Sequence, residues 1–364
     1  MDAFAPKLLN RRATPRAALA AVAKEARFGR RRSELLKAWG ICFGPAWATS
    51  IVDLIEPAQV AARRGFDRLT IGEYHNDALS WMQILASATD GMRLATTILN
   101  VHLRHPAVVA EGVAAIRDVW GDRIELGLGF GHRSNATDEF GLPFQTSTRY
   151  LQEYAEAIRH LLRGEGYRGQ QLGADLPIQR RRATLDSPPI VIAALGPKGV
   201  DHAASYADGL VLTWTPTTLA TELVRRFDDG ERKAGRRNGQ VWIILPCFLD
   251  GSQNAARDAA GRALAQYLQL PTYANMLVNA GYGDVTARAI DHLRQAQVDL
   301  ASRCLPLELL TSVAIVGGRK QLDVLLADSS LAGIDRVIIY PLPVSGGWRD
   351  AVTATLDQCS PKAC

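Results

Sequence analysis

Three short apolar runs decide how this chain folds: Arg68-Leu-Thr-Ile-Gly72, Met92-Arg-Leu-Ala-Thr-Thr-Ile-Leu-Asn100 and Arg123-Ile-Glu-Leu-Gly-Leu-Gly129. Each is rich in Leu, Ile or Thr and too brief for a free-standing helix, so each reads as a buried strand. Each ends in a polar or glycine-rich tip, respectively Glu73-Tyr-His-Asn-Asp77, Val101-His-Leu-Arg-His-Pro106 and Phe130-Gly-His-Arg-Ser134. Helical stretches, Leu79 to Thr89 and Ala107 to Val119, separate the runs. Strand, tip, helix, strand is the grammar of a parallel sheet, whose functional groups gather at the carboxyl ends of the strands. The tips are therefore where an active site belongs.

The alternation continues outward from this stretch. Trp39 to Ala46 reads as the first strand, and Thr49 or Ser50 can cap the helix after it, which Pro57 bends. Downstream, Gly141 to Gly164 holds an amphipathic helix marked by Tyr150, Leu151, Tyr154, Ile158 and Leu161. Residues 165–188 are a polar surface excursion carrying Arg180-Arg181-Arg182. Ile190-Val-Ile-Ala-Ala194 is a fifth strand with the tip Leu195-Gly-Pro-Lys-Gly199, and a helix from Val200 to Tyr206 follows. Leu210–Trp214 and Val241–Leu245 are strands six and seven, and Arg336–Tyr340 closes the count at eight. The pattern predicts an α/β fold, a (β/α)8 TIM barrel over residues 39–364, with a helical insertion at about 253–312 before the last strand.

Composition narrows the function classes. The 364 residues are 47% hydrophobic and 22% charged, as in ordinary globular proteins, and no apolar run approaches the ~20 residues that span a bilayer. Five scattered cysteines without CxxC spacing argue against a disulfide framework or a zinc site and fit a reducing cytoplasm. His102 and His105 have no carboxylate partner in sequence, and Arg104 stands between them, so no metal site is expected. Nothing matches a nucleic-acid module or a Ser-His-Asp constellation. Of the net charge of +5, residues 1–40 supply +7, from ten Lys or Arg against Asp2, Glu25 and Glu34, which leaves −2 for the rest. Residues 1–38 therefore read as a basic N-terminal extension, either solvated or binding an anionic partner.

Four passages together resemble the bacterial-luciferase-like superfamily, which includes flavin monooxygenases and reductases using the deazaflavin coenzyme F420. They are Ala61-Ala-Arg-Arg-Gly-Phe-Asp67 into Ile71-Gly-Glu-Tyr-His-Asn76, Leu94–Asn100 with Arg104-His105-Pro106, Gly127-Leu-Gly-Phe-Gly131, and Ile192-Ala-Ala-Leu-Gly-Pro-Lys198 with Ala207-Asp-Gly209. The resemblance covers roughly residues 39–345 and implies a flat redox ring across the mouth of the barrel. It implies catalytic roles at the second tip for Glu73, Tyr74 and His75. The histidine that often directly follows the acidic residue is here Tyr74, with His75 one place later, so the base is left open among the three; His75 as a loop-ordering residue is the alternative. The resemblance also implies a non-prolyl cis peptide at Thr97-Ile98 behind the ring, ordinary trans geometry being the alternative.

Cofactor contacts are implied at Thr97, Ile98, Asn100, Gly129, Phe130, Gly131, His132 and Ala194. A phosphate cradle is implied at Gly196, Pro197, Lys198 and Gly199, where exposed amides meet a helix start. That tip can equally be a bare turn, and Lys198 can meet an anionic substrate instead. The implied function is an F420-dependent oxidoreductase that moves a hydride between deazaflavin C5 and a small organic, natural-product or peptidic substrate. An FMN-dependent monooxygenase is the alternative, and a non-catalytic barrel that binds flavin or a partner is a third reading. The Glu-Tyr-His-Asn-Asp tip is closer to F420 reductases than to monooxygenases. A cytoplasmic homodimer without nucleic-acid or membrane partners completes the expectation.

Overall fold

The computed structural model describes residues 38–44, 50–177, 185–249, 252–327 and 331–361. The basic extension, Thr49 and the Arg180-Arg181-Arg182 run fall outside them. Strands β1 (Ala38–Phe43), β2 (Arg68–Ile71), β3 (Arg93–Thr96) continued by β4 (Leu99–Asn100), and β5 (Ile124–Gly129) stand side by side in parallel. An antiparallel hairpin outside the ring, β6 (Tyr167–Gly169) and β7 (Ala174–Leu176), follows. The ring then runs through β8 (Ile190–Ala193), β9 (Gly209–Thr213) and β10 (Gln240–Phe248). A two-residue β11 (Ile315–Val316) pairs with the far end of β10, and β12 (Arg336–Pro341) completes the ring by pairing with both β10 and β1. All barrel pairings are parallel and neighbours follow chain order, so the expected (β/α)8 barrel is present.

Helices α1 (Val52–Arg63), α2 (Ala78–Ala88), α3 (Pro106–Trp120), α4 (Thr148–Leu162), α5 (Pro197–Ala203) and α6 (Thr217–Lys233) cover the strands. The insertion is five helices: α7 (Gln253–Tyr267), α8 (Pro271–Asn279), α9 (Gly283–Arg294), α10 (Val298–Cys304) and α11 (Leu307–Val313). Then come α12 (Arg319–Ala327) and α13 (Trp348–Cys359). Local chemistry sets the starts. The Asp77 carboxylate accepts from the Ser80 amide at 3.0 Å, Ser252 Oγ from the Ala255 amide at 3.3 Å, and His105 Nδ1 from the Ala107 amide at 3.3 Å. Pro106, Pro197 and Pro271 each open a helix, where the missing N–H costs nothing. Pro197 starts α5 three residues before the predicted Val200, and the predicted polar excursion contains the hairpin.

Alternation along the strands divides the apolar residues into two cores. Ile41, Phe43, Leu69, Ile71, Leu94, Ile243 and Leu245 belong to the large core under the helices, whereas Cys42, Ala95, Val191, Val211, Trp242, Ile244 and Ile338 fill the barrel. At the amino ends of the strands that inner core gives way to charge. Arg68 Nη2 donates to Glu125 Oε1 at 2.9 Å and Arg93 Nε to the same oxygen at 3.2 Å. Arg336 donates to Asp67 at 3.1 Å and to Gln240 at 2.8 Å, and the Arg68 guanidinium lies 5.0 Å over the Trp242 ring. The barrel floor is thus a hydrogen-bonded charge layer, which leaves the opposite, carboxyl end for a site.

Burial alone would raise the Glu125 carboxyl, but Arg68, then Arg93 and Arg336, favour the ionised form and hold it below the ordinary glutamate range. A folded value below the unfolded one means that this stabilisation is complete above the ordinary range and is lost as pH falls through the folded value. Glu125→Gln, which strands buried Arg68, is expected to cost about 3–5 kcal/mol in urea unfolding at neutral pH. The variant's stability should then fall less steeply than the wild type's on acidification below about pH 4; parallel pH profiles would refute the assignment.

Candidate active site

Glu73, directly past the β2 tip, has a fully buried carboxylate. Its Oε2 accepts from the Asn100 amide at 3.0 Å, its Oε1 from the Ala78 amide at 3.3 Å, and Arg104 pairs with Oε1. Arg104 also lies 3.1 Å from Asp77. Burial raises the Glu73 carboxyl above the usual range, and Arg104 and the two amides pull it back down; the same contacts raise Arg104 against its own desolvation. Each bond ties Glu73 to backbone or to a neighbouring loop. Its carboxylate is an anchor.

Tyr74 and His75 part company with it. The Tyr74 hydroxyl donates to Glu139 Oε1 at 3.2 Å, and His75 Nδ1 lies 3.5 Å from Glu139 Oε2 with its side chain 61% exposed. Buried Asn135 donates to Glu139 Oε2 at 3.0 Å and to the Tyr74 carbonyl at 3.3 Å. Asn100, itself fully buried, donates to Asn135 Oδ1 at 3.4 Å. Glu139 and Asn135 sit on a π-helical turn, Asn135–Glu139, after β5. The second, third and fourth tips are thereby laced into one rim.

Between them the third strand is broken at the pair where the family resemblance implies a cis peptide. The Thr97-Ile98 peptide is cis, and β4 resumes after it. Thr97 Oγ1 meets Thr70 Oγ1 at 2.8 Å and lies 3.7 Å from Cys42 Sγ, inside the barrel. The glycines of β5 answer this break. A Cβ on Gly127 would stand 2.1 Å from the Thr96 carbonyl oxygen, and one on Gly129 would stand 3.1 Å from Ile98 and 3.4 Å from Ala193. Gly131, at φ +62°, has the Asn100 side chain where its Cβ would go. Packing of this chain against itself therefore requires these glycines, in addition to any ring. Gly129 and Ala193 also leave a low apolar wall at the carboxyl ends of β5 and β8, and open space stands beside Gly196.

His132 leads from this rim to the insertion. Its ring lies 6.4 Å from Tyr267 and 6.3 Å from Tyr273, and Tyr267 lies 5.2 Å from Trp214. Burial lowers the His132 imidazole, so it is neutral at pH 7. His102 is likewise lowered by burial, against a hydrogen bond that its ring donates to the Gln145 carbonyl, and packs between Phe130 and Tyr150 beside Phe144. Gly196 is the extended residue before α5, and Pro197, Lys198 and Gly199 form its first turn, with Lys198 exposed. A cleft lined by Asp201, Arg225, Arg226, Asp229 and Lys233 on the outer helices shares no residue with the tips.

Residues 42–336 match the family described as luciferase-like monooxygenase. The chain belongs to that family. Among its curated relatives, a 5,10-methylenetetrahydromethanopterin reductase of Methanolobus tindarius is 27% identical over 231 residues, 61% of this chain and 68% of the relative. An F420-dependent glucose-6-phosphate dehydrogenase of Nakamurella multipartita is 30% identical over 221 residues, 56% of this chain and 63% of the relative. The chain thus spans about two thirds of the length of these relatives. The solved coenzyme F420-dependent tetrahydromethanopterin reductase of Methanopyrus kandleri superposes with a TM-score of 0.74 at 19% identity, covering 90% of this chain and 99% of that one. That likeness is one of fold, and it agrees with the closed parallel barrel.

Within the luciferase-like barrel, the structure gathers Glu73, Tyr74, His75, Thr97, Ile98, Asn100 and the β5 tip at one rim, with Ala194 and the α5 tip further round the ring. Sequence reasoning missed Glu139 and Asn135, which a polar run after a glycine tip does not single out. It also missed Trp214 and Tyr267 as neighbours, since 53 positions separate them. Arg104→Ala leaves Glu73 buried without its cation and is expected to cost about 3–5 kcal/mol in denaturant unfolding. Arg104→Lys should recover only part, because an ammonium cannot fork between Glu73 and Asp77.

Proposed function

We propose that the protein is an F420-dependent oxidoreductase that moves a hydride between C5 of the deazaflavin and a small organic substrate at the carboxyl mouth of the barrel. The observation that carries this reading is family membership together with a sequence relative, 30% identical, that is named as F420-dependent. The low wall of Gly129 and Ala193 beside the cis Thr97-Ile98 peptide supports it as a seat for a flat ring. Thr97, Ile98, Asn100, Gly129, Phe130, Gly131, His132 and Ala194 would hold the ring end, and Gly196, Pro197, Lys198 and Gly199 the anionic tail. F420, when bound, supplies the hydride chemistry.

The chain's own task is then the accompanying proton. Glu73 is committed to anchoring, which leaves Tyr74 with its two neighbours. A proton arriving at or leaving Tyr74 Oη has Glu139 Oε1 as its hydrogen-bond acceptor, and exposed His75 on the other carboxylate oxygen connects to solvent. Burial, then the Glu139 charge, raises the Tyr74 phenol, so it stays protonated at neutral pH and can act as the donor.

Titration of the purified protein should give an F420 dissociation constant at least about tenfold below that for FMN, a difference of ~1.4 kcal/mol. Tyr74→Phe should lower turnover by roughly 10²-fold or more, with F420 affinity unchanged. Tight FMN binding with oxygen uptake, and no fluorescence response of F420, would reverse the assignment in favour of the monooxygenase reading.

A further inference from the structure

In contact with both Tyr74 and Glu139 stands Asn135, with only 1% of its surface exposed. Its Nδ2 donates to Glu139 Oε2 at 3.0 Å and to the Tyr74 carbonyl at 3.3 Å, and its Oδ1 accepts from Asn100 Nδ2 at 3.4 Å. A carboxylate and a carbonyl can only accept, so the NH2 of Asn135 must face them, which fixes the orientation of the amide. Asn100 is oriented in the same way. Its Oδ1 accepts from the His102 amide at 3.0 Å, so its own NH2 points at Asn135. The Asn100 side chain takes this position against Gly131, where a Cβ would stand 2.9 Å from Asn100 Cγ.

The two amides connect the broken strand to the rim. The backbone N–H of Asn100, two residues past the cis Thr97-Ile98 peptide, is held by Glu73 Oε2 at 3.0 Å. Asn135 carries the connection on to Glu139, at the other end of the π-helical turn Asn135–Glu139; turns of this kind recur at functional sites. The Glu139 side chain is 31% exposed, so water competes for its carboxylate. What keeps Oε1 on the Tyr74 hydroxyl at 3.2 Å is the hold on Oε2, from Asn135 at 3.0 Å and from His75 Nδ1 at 3.5 Å. Of these two holds only the one from Asn135 is buried. Among the described residues, the titratable side chains that meet the Tyr74 ring are Glu139 and His75, the latter edge-on with ring centroids 4.0 Å apart.

We propose that Asn135 is the positioning residue of the proton relay: its amide holds the Glu139 carboxylate with Oε1 on the Tyr74 hydroxyl and, through Asn100, ties that pair to the strand tip beside the cis peptide. Asn135 acts on the reacting proton only through Glu139 and Tyr74. The inference deepens the hydride-transfer reading and rests on it for its effect on turnover, because a proton donor is effective only when its orientation is fixed before the reaction. The hold on Glu139 and Tyr74 needs no cofactor.

The test is a pH titration of the tyrosine phenols in the full chain without cofactor, read by NMR of 13C-labelled tyrosine, with Tyr74→Phe to assign the Tyr74 signal. Burial, then the Glu139 charge, holds the Tyr74 phenol above the ordinary tyrosine value, so Glu139→Gln is expected to bring it down. Asn135→Ala should move it in the same direction, because the released carboxylate turns to water. With F420 bound, Asn135→Ala should lower kcat roughly tenfold with KM and F420 affinity unchanged. Combined with Glu139→Gln it should cost no more than Glu139→Gln alone, since both variants break one unit. Asn135→Ser carries the same expectations should the alanine variant not fold, its hydroxyl being too short to reach Glu139. A Tyr74 signal that titrates in the Asn135 variant as in the wild type, or kcat losses that multiply in the double variant, would overturn the inference. Failure of F420 to bind counts instead against the hydride-transfer reading, and the cofactor-free titration then decides the role of Asn135 by itself.

Discussion

A single buried carboxylate governs the geometry of the mouth. Glu73 accepts from the backbone of Asn100, beyond the break in the third strand, and from the backbone of Ala78 at the start of α2, while Arg104 neutralises it from the next loop. In an apolar wall an ionised group persists only with such partners, and removing any of them leaves a charge or an amide stranded. The tip of β2, the exit of β4 and the first turn of α2 are therefore held in one arrangement. The cis Thr97-Ile98 peptide and the glycines of β5 fit into the space that this arrangement leaves.

The barrel is electrically asymmetric along its axis. Its floor is a layer of Arg68, Glu125, Arg93, Arg336 and Asp67, and its middle is apolar. Its mouth is bordered on one side by the Tyr74–Glu139–His75 rim and on the other by neutral aromatic rings. Charge at the floor is screened from the mouth by several layers of side chains, so ionisation there bears on stability and not on the site. At the rim, the exposed His75 side chain leaves Glu139 open to exchange with water.

In this barrel the strands and their tips have room for only small changes, because a Cβ at Gly127 already meets backbone. The insertion is under no such constraint. Its five helices approach the β5 tip through rings at the end of α7 and in α8, Tyr267 and Tyr273, which lie 6.4 and 6.3 Å from His132.

Alternation of apolar runs with helices was enough, from the amino acids alone, to determine eight parallel strands, the polarity that puts the site at their carboxyl ends and the position of the insertion, since these follow from periodicities of 2 and 3.6 that every residue carries locally. The motif at Gly127, Gly129 and Gly131 was legible through its resemblance to a family pattern, though its nearest cause, the neighbouring third strand, was not. Which of Glu73, Tyr74 and His75 turns inward depends on where β2 stops and on Arg104 and Glu139 being there to receive them, and no local period encodes that. The pairing of Trp214 with Tyr267 depends on how α7 returns over the ring. Those contacts are decided by closure of the chain on itself, because a buried donor or carboxylate selects its partner by distance in space and not by separation in sequence.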